Sequence, residues 1–180
     1  MENVQKLYLT VGLPASGKTT WAKNWVAQDP QHRLRVSRNE IRAMLGPSTI
    51  ITNAREALVS VAESTIVRDA LKRGYDVCID TYHLNPKVKD KWEAYVNMVN
   101  NVLKVDRPLK MEYIHCNTTV EECIMRDKLR VGDDQVGEDV IWRMYAKYLK
   151  PQFEGPQGQA QADNQKSDEG SSPQEKDMEW

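Results

Sequence analysis

Apolar positions along the chain fall into two alternating kinds of run: short continuous ones, and longer ones with helical spacing. Leu7-Tyr8-Leu9-Thr10-Val11, Arg33-Leu34-Arg35-Val36-Ser37, Asp76-Val77-Cys78-Ile79-Asp80 and Lys110 to Cys116 are the short runs, and each predicts a strand. Between them, helices are predicted from Thr20 to Val26, from Asn39 to about Leu45, from about Asn53 to Arg73 and from about Pro86 to Val102. In the longest of these, Ala54, Leu58, Val61, Ala62, Ile66 and Ala70 recur at spacings of three and four, and Gly74 stands where a helix-ending residue with positive φ belongs. Thr118-Thr119-Val120-Glu121-Glu122 carries a capping-box pattern that opens a further helix. The polar stretch from Val131 to Gly137 separates it from a last helix, about Asp139 to Leu149, and Pro151 closes the pattern. Strands separated by helices predict a three-layer α/β domain with a mainly parallel sheet of four or five strands covered on both faces. Ligands of such sheets sit beyond the carboxyl ends of the strands.

With 180 residues and 40% apolar content the chain can bury one core, so one domain is expected. That domain is placed at residues 1–153. From Glu154 onward the composition shifts to Gln, Gly, Pro, Ser and acids, which cannot bury enough apolar surface to offset their ordering entropy; 154–180 is expected to be a disordered acidic tail. The formal charge of −1 conceals this split: the tail carries seven acids and two lysines, leaving a mildly basic body of +4. Such a body is compatible with a nucleic-acid partner without demanding one. Cys78, Cys116 and Cys123 are odd in number and form no C-x-x-C pair, which fits a reducing compartment and argues against a disulfide framework or a structural zinc site. No apolar stretch has the length of a membrane span, and the expected location is the cytoplasm of a bacterial or phage-infected cell.

The residues with chemical content gather at the predicted strand ends. Gly12-Leu13-Pro14-Ala15-Ser16-Gly17-Lys18-Thr19 is a complete G-x-x-x-x-G-K-[ST] loop between a strand and a helix, the context in which the motif has meaning. Its glycines let successive N–H groups point at phosphate oxygens, Lys18 reaches the β- and γ-phosphates, and the Thr19 hydroxyl ligates Mg²⁺, with Thr20 closing the cradle. A nucleoside triphosphate is the expected ligand. Asp80 ends an apolar strand, where a carboxylate can hold Mg²⁺ through water or orient an arginine. Arg38 and Arg42 lie four apart, as do Arg126 and Arg130; the second pair is expected on one helical face, closing as a lid over the triphosphate. Asn39 stands where a helix would begin and is a good N-cap type. His83, in the loop after Asp80, is placed to touch an acceptor but reads first as a surface histidine.

In their order along residues 5–150, these elements resemble the kinase domain of phage polynucleotide 5′-kinases, within the small P-loop kinases related to adenylate kinase. The resemblance is carried by Gly-x-Pro-x-Ser-Gly-Lys-Thr-Thr-Trp-Ala at 12–22, Ser-Arg-x-x-x-Arg at 37–42, Asp80-Thr81 followed by Leu84-Asn85-Pro86, Arg126 with Arg130, and Met144-Tyr145. It implies a P-loop kinase fold with a short helical lid, and ATP with Mg²⁺ as cofactors served by Lys18 and Thr19. It also implies that Arg42 contacts the acceptor phosphate, that Asp80 holds Arg42, and that Arg130 clamps the ATP phosphates, with Arg126 as a secondary lid residue. The chain departs from the family at Asn39, where relatives carry an aspartate that looks like the general base; an amide oxygen accepts a hydrogen bond but takes no proton at neutral pH. Either the chain is an inactivated variant, or it manages without that base, with Glu40 or Asp80 as substitutes. The loop from Asp80 to Asn85 is also one residue longer than the family pattern. The leading expectation is an ATP-dependent kinase acting on a nucleic-acid hydroxyl, first a polynucleotide 5′-OH end. Kept beside it are phosphorylation of the hydroxymethyl group of 5-hydroxymethyluracil in phage DNA, a small-metabolite or nucleotide kinase, and a catalytically silent nucleotide-binding module.

Overall fold

The computed structural model describes residues 4–47, 50–102 and 107–150. The expected acidic tail, 154–180, lies outside the described residues. The elements follow in the order β1 (Gln5–Val11), α1 (Lys18–Ala27), β2 (Arg33–Ser37), α2 (Arg38–Met44), α3 (Asn53–Lys72), β3 (Asp76–Asp80), α4 (Pro86–Val102), β4 (Leu109–His115), α5 (Val120–Lys128), a 3₁₀ turn (Gly132–Asp134) and α6 (Glu138–Tyr148). Among the described residues there are four strands, in the order β2-β3-β1-β4, and every pairing is parallel. The chain builds β2 and β3 on one side of β1 and then crosses to place β4 on the other. The crevice beyond the end of β1 is therefore the switch point of the sheet, where ligands of open α/β sheets bind.

Alternation along the strands divides the core. Leu7, Leu9, Val77 and Ile79 meet Val59, Val67 and Leu71 of α3 and Trp92, Val96 and Val99 of α4. Tyr8 and Cys78 point to the opposite face, where they meet Ala22 and Trp25 of α1. There the Trp21 and Trp25 rings stack 6.1 Å apart, and Tyr8 sits edge-on to both at 5.7 and 5.2 Å. A third cluster joins Val11, Leu13 and Leu84 to Val120, Cys123 and Ile124 of α5 and Ile141 of α6, so the end of β1 is roofed by the last two helices. Cys78 and Cys123 are fully buried and act as small apolar residues.

The local signals work as the residue types dictate. Thr119 caps α5 by accepting from the Glu122 N–H, and Thr52 caps α3 by accepting from the Arg55 N–H. Gly74, at φ +87°, ends the α3 turn with its N–H on the Leu71 carbonyl.

The predicted face of α3 needs correction. Leu58, Val61 and Ile66 are 60%, 63% and 44% exposed, Ala54 is exposed too, and the buried stripe runs through Val59, Glu63, Val67, Ala70 and Leu71. Of the predicted core positions, only Ala70 is buried, with Ala62 half-buried against the same cluster. A charge in the middle of the true stripe hid it: Glu63 is 2% exposed and tolerable there because Arg38 lies 3.1 Å away.

Two substitutions read out this face. Val67→Ala is expected to lower unfolding free energy by about 2 kcal/mol through the cavity it leaves. Leu58→Ala, on the solvent side, is expected to stay within about 0.5 kcal/mol of the parent. Urea denaturation followed by circular dichroism checks both, and the reverse ranking would restore the predicted face.

Candidate active site

The loop between β1 and α1 curls because its backbone enters the left-handed half of conformational space at Ala15 (φ +61°) and Gly17 (φ +96°), the latter standing immediately before the helix. Consecutive N–H groups in such a curl, backed by a helix N-terminus, form an anion-binding concavity. Gly12 is required for another reason: at φ +149°, a Cβ there would lie 2.7 Å from the Cys116 carbonyl oxygen and 2.8 Å from Ser16 Oγ. The loop is fixed to its neighbours by bonds from Gly12 N–H to the Tyr82 carbonyl, from Cys116 N–H to the Val11 carbonyl and from Thr118 Oγ1 to the Ser16 carbonyl.

Lys18 is buried and folds back over the loop, donating to the Leu13 carbonyl and to Ser16 Oγ. Burial lowers its ammonium pKa to about 8, partly opposed by the charge of Asp80. A cavity of about 360 Å³ opens here, lined by Ala15, Gly17, Lys18, Thr19, Thr20, Arg126 and Arg130. Gly12, Leu13, Pro14 and Ser16, the other loop residues expected at the nucleotide, shape the curl beneath it. Thr19 and Thr20 are exposed at its wall.

Arg126 and Arg130 thus converge, but by a different route from the one the spacing implied. Helix α5 ends at Lys128, so Arg126 sits in its last turn and Arg130 lies beyond it. The segment after α5 is folded back by Asp127, a residue the sequence reading missed. Asp127 is 2% exposed and accepts from the Val136 and Gly137 N–H groups at 3.1 and 2.8 Å, with Arg130 at 3.6 Å. An acid in the last turn of a helix opposes the helix dipole, and that was the available signal that it has another partner.

On the other side of the crevice, β2 and β3 end in register at Ser37 and Asp80. Asp80 is 5% exposed, and its Oδ2 accepts from Arg35 Nε at 2.7 Å. The same guanidinium reaches Glu40 at 2.7 Å. The pairing of Asp80 with Arg42 implied by the family resemblance is therefore replaced: Asp80 does orient an arginine, but it is Arg35. Arg42 instead places Nε and Nη2 on the two oxygens of Glu56, at 2.6 and 2.9 Å. Its Nη1 donates to Asn39 Oδ1 at 2.8 Å. Asn39 is not the helix cap either; Ser37 occupies that position. Arg38 reaches Glu56, Glu63 and Ser60. Arg35, Glu56 and Glu63 were all missed, although the Arg38/Arg42 spacing of one helix matches the Glu56/Ser60/Glu63 spacing of the next.

His83 also departs from expectation. It is 1% exposed, at φ +32°, with Nδ1 2.9 Å from the Thr10 carbonyl oxygen, so Nδ1–H donates, and burial lowers the ring pKa to about 4, which favours the neutral form at pH 7. Among the described residues no cluster of three or more His, Cys, Asp or Glu has the arrangement of a metal site. Mg²⁺ binds through one or two protein oxygens together with waters and substrate phosphates. The Thr19 hydroxyl and the Asp80 carboxylate are hard oxygen donors of the required type.

Comparison with known proteins agrees with this fold. A family model described as an AAA domain matches residues 7–151. A chain from the structure of the Pnkp1/Rnl/Hen1 RNA repair complex superposes with a TM-score of 0.68 at 21% identity, over 86% of this chain and 48% of that one. A chain from another structure of the Pnkp1/Rnl/Hen1 complex gives 0.58 at 21% identity, over 73% of this chain and 42% of that one. The chain thus spans about half the length of the chains it resembles, and the likeness shows that they share its fold.

His83 supplies a test through pH. Burial lowers its pKa from 6.5 to about 4, so between those values the unfolded chain binds a proton that the folded one refuses. Stability is expected to fall as pH drops through this window, by about 3 kcal/mol in all from this group. Urea denaturation between pH 7 and pH 4, with His83→Gln as the variant lacking the titration, measures the difference; parallel pH curves would show that His83 is not buried neutral.

Proposed function

The chain belongs to the AAA domain family, and from that membership we propose that it is an ATP-dependent kinase whose acceptor is a nucleic-acid hydroxyl, first of all a polynucleotide 5′-OH end. The observation that carries this reading is the pairing of two half-sites on one sheet edge. One half is a phosphate loop whose cavity gathers Lys18, Arg126 and Arg130; the other is a short helix at the ends of β2 and β3 that presents Arg42. The likeness to chains from an RNA repair complex supports a nucleic-acid acceptor. Under this reading residues 7–151 lie in the kinase body, proposed as 1–153.

Phosphoryl transfer through a loose transition state is chiefly positioning and charge neutralisation. Lys18 serves the β- and γ-phosphates from the floor of the cavity, and Arg126 and Arg130 clamp the triphosphate from its rim. Mg²⁺, when bound, neutralises phosphate charge, and Thr19 with Asp80 would hold it. Arg42 faces the acceptor and binds its phosphate; Asn39 accepts from Arg42 and contributes position rather than basicity.

Transfer from γ-labelled ATP onto a panel of 5′-OH oligonucleotides, duplexes containing 5-hydroxymethyluracil, and free nucleosides tests the proposal. Label on the oligonucleotide end is the expected result; label only on the modified base or only on nucleosides would move the acceptor, and none at all would leave a binding module. Lys18→Ala is expected to abolish transfer with the circular dichroism spectrum intact. Arg130→Ala should raise the KM for ATP, and more than Arg126→Ala does, whereas Arg42→Ala should raise the KM for acceptor; exchanged effects would place these arginines on the wrong sides.

Asn39→Asp asks a separate question. With a 5′-OH acceptor, a carboxylate at this position is expected to raise kcat by roughly 10²-fold or more, on a new pH limb where it ionises. An unchanged pH–rate profile would show that position 39 does not approach the acceptor hydroxyl.

A further inference from the structure

We infer that Glu56, on α3, is the positioning residue that aims Arg42 at the acceptor, a role for which Asp80 is unavailable; the inference rests on the kinase reading above and deepens it. Three observations carry it. First, Glu56 grips Arg42 through both carboxylate oxygens, Oε1 on Nε at 2.6 Å and Oε2 on Nη2 at 2.9 Å. A bidentate fork of this kind fixes the plane of a guanidinium as well as its place. The bond is strong enough to hold the Glu56 carboxyl below its usual range, with Arg42 as the largest cause.

Second, the grip leaves Arg42 usable. A guanidinium has five N–H groups; Glu56 takes two and Asn39 one, so the fork and the amide together fix the direction of those that remain. Arg38 is spent differently. Its Nη1 donates to Ser60 and Glu63, and its Nη2 to Glu56 and Ser60, so both terminal nitrogens are committed to α3. Arg38 is scaffold, and Arg42 is the arginine with bonds to give.

Third, the carboxylate at the strand end is otherwise engaged. Arg35 bridges Asp80 and Glu40 at 2.7 Å each, fastening the start of α2 to the sheet from one side while Glu56 and Glu63 fasten it to α3 from the other. The seven-residue α2 is thus held between two ion-pair clamps, and only the α3 clamp reaches Arg42. The acceptor phosphate meets an arginine whose charge is already balanced, so its recognition depends on direction more than on attraction.

Paired variants test this. Glu56→Gln removes the charge that forks Arg42; Glu63→Gln disturbs Arg38 alone and reports what loosening the α2–α3 contact does by itself. The expected result is a rise of tenfold or more in the KM for a 5′-OH oligonucleotide in Glu56→Gln, with the KM for ATP within twofold of the parent. Glu63→Gln is expected to keep both KM values within twofold whatever its melting temperature. A smaller folded fraction lowers kcat but leaves KM alone, so an acceptor KM that moves equally in both variants, or in neither, overturns the proposal. A second readout is independent of the acceptor: the ¹⁵Nε–¹Hε resonance of Arg42, protected from exchange in the parent, should persist in Glu63→Gln and be lost in Glu56→Gln. If the parent transfers to no oligonucleotide, the polynucleotide reading falls, and this resonance alone decides whether Glu56 holds Arg42; its persistence in Glu56→Gln would overturn that hold.

Discussion

The backbone at Gly12 passes so close to the end of β4 that a side chain there would strike the Cys116 carbonyl, and the rest of the site depends on that approach. Because nothing projects from Gly12, the loop drops between the ends of β3 and β4, bonded to Tyr82 on one side and braced by Cys116 and Thr118 on the other. Three strand ends are thereby locked to one loop. The curl that follows brings Lys18 into the protein rather than into solvent, which is why its ammonium is easier to deprotonate than an exposed lysine's. The same brace at Thr118 sets where α5 begins, and hence where Arg126 and Arg130 arrive.

The two halves of the crevice handle charge in opposite ways. On the nucleotide side Lys18 is bonded to an uncharged carbonyl and a hydroxyl, and the rim arginines have carboxylate partners that are either exposed, as Glu122 is, or distant, as Asp127 is at 3.6 Å. An exposed pair binds weakly and a 3.6 Å pair is not a tight one, so the cations remain available to a polyanion. On the other side Arg35, Arg38 and Arg42 face Glu40, Glu56, Glu63 and Asp80 at 2.6 to 3.1 Å, several of them buried. Removing one member of such a network strands its partner, so these contacts fix geometry more than they add attraction. A triphosphate with several negative charges suits the first environment. A single phosphodiester or hydroxyl, which must be aligned rather than captured, suits the second.

What could be read from the chain divides along the same line. The strands, the helix limits, the Thr119 cap and the phosphate loop were legible because each is written locally, in a period, a cap or a fixed spacing. The face of α3 was not, because Glu63 interrupts the apolar stripe and its partner Arg38 lies 25 residues earlier in the chain. The partners of Asp80 and Arg42 were misjudged for a related reason. Family resemblance assigns pairs by position in a motif, whereas a guanidinium pairs with whichever carboxylate the packing brings to it, and here α3 brings Glu56. His83 was misread because a histidine in a loop after a strand is ordinarily exposed; its bond to the Thr10 carbonyl, 73 residues away, helps to make its burial tolerable.

The amide at position 39 gains its meaning from these pairings. Among the described residues, the carboxylates near the start of α2 are engaged by arginines: Asp80 and Glu40 by Arg35, Glu56 by Arg38 and Arg42, and Glu63 by Arg38. Glu56 is the poorer base for it, because its bond to Arg42 holds the carboxyl below the usual range and protonation would sacrifice that bond. On the proposed phosphoryl-transfer reading this arrangement favours direction over proton abstraction. In a loose transition state the acceptor's proton leaves late, so a missing base costs less than a misaligned hydroxyl. An aspartate at 39 would compete with Glu56 for Arg42. An asparagine supplies one neutral bond and leaves the fork undisturbed, so on that reading the site keeps the aim of Arg42 and forgoes the rate that a carboxylate base at 39 would add.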